Sequence, residues 1–104
     1  VKPLYWTQTP KGVLFGSELK SLLCEPSVER ELDPTAIASH LVYLWSPSPH
    51  TMLRHVHKLP PGHAFLARDG EIERLWRWYD LPYDQPLAEL DDAQAIDAVR
   101  SQVE

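Results

Sequence analysis

Few residues in this sequence combine a type and a spacing that chemistry could use, and each also has a structural reading. Cys24 is the one thiol in 104 residues. A nucleophilic thiol needs a neighbouring cation or a helix N-terminus to favour the thiolate. Cys24 instead follows Leu19-Lys20-Ser21-Leu22-Leu23, a run that reads as the end of a short helix. There the helix dipole opposes negative charge, so Cys24 reads as a structural cysteine. His55-x-His57 would set two imidazoles on one face of a strand, with His50 and His63 nearby in sequence. That is the start of a metal edge, but no cysteine or carboxylate pattern completes a ligand set. The alternative is a polar segment leading into Lys58 and a proline turn. Asp91, Asp92 and Asp97 look like paired carboxylates, yet a helix start explains them as capping charges. Trp6, Trp45, Trp76 and Trp78 could stack on a ligand ring, and are expected as core and interface filler. The four glycines are not clustered into a phosphate-cradling loop. No serine–histidine–aspartate motif stands out. The residues therefore assign no catalytic, cofactor-binding or metal-ligating position.

The elements that would have to position any site are more legible. Residues 1–8 and Val13-Leu14-Phe15 flank Thr9-Pro10-Lys11-Gly12 and predict a β-hairpin with a four-residue connection. Pro3 cannot donate to a ladder and belongs at a strand start or edge. After Gly16, Ser17 is a plausible N-cap for a short helix over 18–23, with Leu19, Leu22 and Leu23 on one face. Pro26 ends it near Cys24. Asp33-Pro34 is a clear helix start: a carboxylate cap, then proline where the missing N–H costs nothing. Ile37, Leu41 and Leu44 follow at helical spacing, predicting a helix over about 34–44 that Ser46-Pro47-Ser48-Pro49 stops. Residues 51–59 show no strong period. Past the Pro60-Pro61-Gly62 turn, His63–Arg68 and Glu71–Tyr79 flank Asp69-Gly70, the strongest hairpin signal in the chain. Both faces of its second strand mix residue types, so that strand is expected to twist or to be covered on both sides. Residues 80–86 read as a linker. Asp91 and Gln94 form a capping box for a helix starting near 92.

Composition bounds the class. A chain of 104 residues, 43% hydrophobic and 24% charged, fits one globular domain or part of one. No apolar run approaches the ~20 residues that span a bilayer, so no membrane partner is expected. No secretory signal pattern opens the sequence. A single cysteine excludes a disulfide framework and suits a reducing compartment, so the expected location is cytoplasmic. Residues 1–60 carry six Lys/Arg against five Asp/Glu, and residues 61–104 carry four against ten. Without a basic excess, no nucleic-acid partner is expected. The start at Val1 and the apolar pattern still running at Val103-Glu104 suggest a piece of something larger.

Read as a string, the chain resembles the glutamine-hydrolysing asparagine synthetases. Val1-Lys2-Pro3-Leu4-Tyr5-Trp6 looks like the family's Gly-(Ile/Val)-Lys-Pro-Leu-Tyr-Tyr stretch, without its glycine. Leu14-Phe15-Gly16-Ser17-Glu18-Leu19-Lys20-Ser21-Leu22 looks like Leu-x-Phe-Ala-Ser-Glu-Ile-Lys-Ala-Leu. Leu32-Asp33, Leu41 to Trp45, Pro49-His50-Thr51-Met52 and Lys58-Leu59-Pro60-Pro61-Gly62-His63 match later segments in order. Trp78-Tyr79-Asp80 stands where the family usually has Tyr-Trp-Asp.

The resemblance implies an α+β fold, part of an Ntn-hydrolase-type αββα sandwich built of β-hairpins with covering helices. It implies that residues 1–80 are the C-terminal part of a glutaminase domain. Residues 81–90 would be a linker, and 91–104 the truncated first helix of a synthetase domain. The full-length parent would amidate aspartate using ATP, magnesium and glutamine-derived ammonia, and the missing parts of that parent would be this chain's partner. The family's nucleophile is a cysteine at the mature N-terminus. Here Val1 stands first and Cys24 is internal, so the role cannot transfer. The family's glutamine-binding and pyrophosphate motifs lie outside this stretch. The chain alone is therefore expected to be inactive scaffold. Its unpartnered strand edges and apolar faces would invite homodimerisation. Two other readings remain open from the sequence. One is a stand-alone interaction module. The other is a fragment of a related amidotransferase acting on a surface-polysaccharide or natural-product acid.

Overall fold

Thr9-Pro10-Lys11-Gly12 turns the chain between two runs of strand-forming residues, and a hairpin forms there in the computed structural model, which describes residues 2–84 and 89–103. Strands β1 (Tyr5–Thr9) and β2 (Gly12–Gly16) pair antiparallel, with Tyr5 opposite Gly16 and Thr9 opposite Gly12. Thr9 and Gly12 join the ladder, so only Pro10 and Lys11 connect the strands. Thr9 Oγ1 donates to the Gly12 carbonyl (3.1 Å) and accepts from the Lys11 N–H (3.2 Å), which tightens the turn. A two-residue strand, β3 (His57–Lys58), adds to the other side of β1, with Trp6 opposite His57 and Tyr5 opposite Lys58. The sequence carried no period there because two residues are too few to show one.

The short helix is a single turn, α1 (Leu19–Leu22). Glu18 rather than Ser17 occupies its N-cap position, and Glu18's side chain makes no capping bond. Its hold is tertiary. Leu22 joins Val28, Leu53 and Val56 in the buried core, and Tyr5, Leu14, Leu19 and Leu23 pack around them. The expected shared face of Leu19, Leu22 and Leu23 is therefore the face that meets the core.

Helix α2 (Pro34–Tyr43) starts as expected. The Asp33 carboxylate accepts from the N–H groups of Thr35 (2.9 Å) and Ala36 (3.2 Å), satisfying two donors that a helix start leaves free. It ends at Leu44, which takes a left-handed φ of 59°. The periodic stripe does not all face inward. Ala36 is buried and Ile37 half-buried, while Leu41 through Trp45 are exposed.

Residues before and after α2 run antiparallel. Asp33 N–H donates to Met52 O and Arg54 N–H to Glu31 O, each at 2.9 Å, around a Leu32–Leu53 bridge. Thr51 locks the return. Its buried hydroxyl lies 2.7 Å from the Val56 carbonyl and accepts from the Leu53 N–H at 3.0 Å. Thr51→Val keeps the shape but leaves a buried donor and a buried acceptor without partners. A loss of about 2–4 kcal/mol is expected, read by urea denaturation at constant slope. Thr51→Ser, which retains the hydroxyl, should recover most of it.

The second hairpin pairs β4 (His63–Arg68) with β5 (Glu71–Arg77). Asp69 (φ 51°) and Gly70 (φ 84°) both adopt left-handed backbone, as a type I′ turn requires. The strand ends at Arg77, two residues short of the expected Tyr79. An irregularity between Leu66 and Ala67 shifts the register. Ile72 and Trp76 are half-buried and the rest of β5 is exposed, so coverage on both sides is not seen among the described residues. The turn of this hairpin meets the first one: a Cβ built on Gly70 would lie 3.2 Å from Gly12 Cα. Phe65 reaches Trp6 (centroids 6.0 Å apart) and Phe15 (6.3 Å), so the hairpins pack sheet on sheet. The layers thus run from α1 and its core, through β2–β1–β3, to β4–β5, an α+β arrangement of helices and antiparallel sheets.

Helix α3 (Asp92–Val103) begins with the expected capping box. Asp91 Oδ1 accepts from Gln94 N–H (2.9 Å) while Gln94 Oε1 accepts from Asp91 N–H (3.1 Å). None of its residues is buried. The Cα radius of gyration is 19.0 Å, against ~13 Å for a compact chain of this length.

Candidate functional site

The structure separates the residues that the sequence brought together. His57 lies in β3 beside β1, its ring 4.8 Å from that of Trp6. His55 sits outside the ladder, where its carbonyl accepts a 2.6 Å hydrogen bond from the buried Thr7 hydroxyl. Its imidazole turns toward two glutamates instead of toward His57. Among the described residues, the one grouping of three potential metal-ligating side chains is Glu29, Glu31 and His55, all exposed. His55 Nε2 lies 3.0 Å from Glu29 Oε2 and 3.3 Å from Glu31 Oε2. Arg54 pairs with the other oxygen of Glu31. Sequence reasoning missed this grouping because it depends on the antiparallel pairing of 31–33 with 52–54. The only linear signal was the Glu29-x-Glu31 spacing.

His57 faces a cleft of about 300 Å³ at the seam between the sheets, which Trp6, Pro49, Lys58, His63 and Leu75 also line. Burial lowers the His57 pKa below its ordinary 6.5, and the nearby His50 and His55 add to that. Lys58 is also lowered from its usual 10.5 by burial. Its ammonium donates to the Ser46 carbonyl and stands 5.7 Å from the Trp45 ring centre. Trp6 Nε1 is buried without a hydrogen-bond partner among the described residues. The cleft is mostly apolar and holds no carboxylate beside a nucleophile. The arrangement can pack side chains, but it offers no assembled acid–base pair.

Cys24 is exposed. Its thiol points back along the chain, 3.6 Å from the Lys20 carbonyl. Asp91 caps α3, Asp92 opens it, and Asp97 lies 3.6 Å from Arg100. Asp91 and Asp92 therefore stand at the helix start as expected, whereas Asp97 lies a turn further on and faces Arg100 instead of capping. Of the tryptophans, Trp6 and Trp76 are half-buried while Trp45 and Trp78 are exposed, so only two of the four fill the packing of the described residues.

The strongest electrostatic feature is structural. Lys11 Nζ, at the β1–β2 turn, lies 2.9 Å from Glu25 Oε1. The Ser27 hydroxyl (2.8 Å) and N–H (3.1 Å) donate to the same oxygen. The Lys11 bond, then those from Ser27, hold the Glu25 pKa at about 2, below its ordinary 4.5. A depressed carboxylate stabilises the fold only while ionised. Its contribution is complete above pH 4.5 and is lost as the pH falls toward 2. An NMR titration of the Glu25 side chain should show this low midpoint, and Lys11→Gln should move it upward. An unchanged midpoint in that variant would show that the ammonium is not its principal cause.

The family described as "Glutamine amidotransferase domain" matches residues 1–79. Asparagine synthetase [glutamine-hydrolyzing] 1 of Bacillus subtilis (strain 168) is 38% identical over 73 residues, covering 69% of this chain and 11% of the relative. Asparagine synthetase [glutamine-hydrolyzing] 3 of the same organism is 28% identical over 97 residues, covering 91% of this chain and 16% of that relative. The chain therefore spans less than a fifth of the length of either relative. No solved structure matches it.

Proposed function

The chain belongs to the glutamine amidotransferase domain family, and from that premise we propose that it is the distal part of the glutaminase domain of a glutamine-hydrolysing asparagine synthetase. The observation that carries this reading is the family match over residues 1–79, which takes in both hairpins and α2. In this reading residues 1–80 close the glutaminase domain, 81–90 link, and α3 opens the synthetase domain. The two packed sheets and the helical layer over one of them would be part of an Ntn-type αββα sandwich. The parent would hydrolyse glutamine and use the released ammonia to amidate aspartate, in the cytoplasm. Its ATP and magnesium would be held elsewhere. The four glycines here stand at hairpin turns, the end of β2 and a proline turn, and none belongs to a loop fit to cradle phosphate. Among the described residues, no helix is long and apolar enough to cross a membrane.

This chain's role is then to build one wall of the glutaminase domain. One feature supports that reading. Leu41 through Trp45 and the Ile96–Val99–Val103 face of α3 lie exposed, as surfaces meant for further chain would be.

The pure 104-residue chain is expected to release no ammonia from glutamine above the buffer rate. Turnover that rises in proportion to chain concentration and is lost on denaturation would overturn the scaffold reading. Detection of the native polypeptide with an antibody to this segment tests the parent itself. A product several times larger than 11.9 kDa supports the proposal. A product of that size alone contradicts it.

A further inference from the structure

We draw no further inference here: the strongest candidate, the exposed Glu29–Glu31–His55 cluster where the chain segments before and after α2 run side by side, carries nothing because it is an exposed acidic cluster and no second feature among the described residues points to an ion there.

Discussion

Replacing Gly62 by alanine should destabilise the chain by about 3 kcal/mol or more, enough to release the second hairpin from its anchor. Gly62 stands third in the Pro60–His63 turn, closed by a 3.2 Å bond from His63 N–H to the Pro60 carbonyl. Its φ is +68°, the positive value that the third residue of a type II turn requires, and Pro61 before it is the residue such turns favour. A side chain in left-handed backbone costs roughly 1–2 kcal/mol by itself. Here the added carbon would also lie 2.1 Å from the Tyr79 carbonyl oxygen, a contact no rotamer can relieve. The backbone would have to move. That would strain the bonds from Trp78 N–H (2.9 Å) and Tyr79 N–H (3.2 Å) to the Gly62 carbonyl, each worth about 1 kcal/mol. Gly16→Ala is the control. A Cβ there meets a Leu22 methyl at 3.2 Å, the movable end of a side chain, and no positive φ is involved. Urea denaturation followed by tryptophan fluorescence should place Gly62→Ala far below Gly16→Ala. Equal midpoints would show that the turn does not hold the hairpin in place.

Leu22→Ala should cost about 2–5 kcal/mol, the range for a buried leucine whose surroundings cannot fully collapse. Leu22 is 3% exposed, and the buried apolar set among the described residues is small: Leu22, Val28, Ala36, Leu53 and Val56. It also sits at the meeting of four segments, α1, β2, residue 28 and the 53–56 return. Removing it would unseat a one-turn helix that lacks a side-chain cap of its own. Leu41→Ala is the matched comparison. Leu41 is 75% exposed, and its truncation should change stability by no more than about 0.5 kcal/mol. Similar losses at both positions would mean that the core is misplaced.

Local rules carried much of the fold into the sequence. Asp69-Gly70 specified its turn because two consecutive left-handed residues suit few pairs better. Asp33-Pro34 and Asp91 to Gln94 announced helix starts because capping needs particular side chains within three residues of one another. The order of short motifs also carried the family, and with it the expectation that the residues doing the chemistry lie elsewhere.

Tertiary structure decided what no spacing encodes. β3 exists because β1 offers an open edge, not because His57-Lys58 has strand character. α1 begins at Leu19 rather than behind a Ser17 cap because burial of Leu22, not a local hydrogen bond, holds it. The spacing of Ile37, Leu41 and Leu44 set a helix, but only the packing determined that Ala36 and Ile37 turn inward while Leu41 and Leu44 stay outside. His55 and His57, two residues apart, were parted when one ring packed against Trp6 and the other turned to glutamates more than twenty residues earlier. Periodicity reports which residues share a face. What that face meets depends on contacts between segments distant in sequence, which only the folded chain brings together.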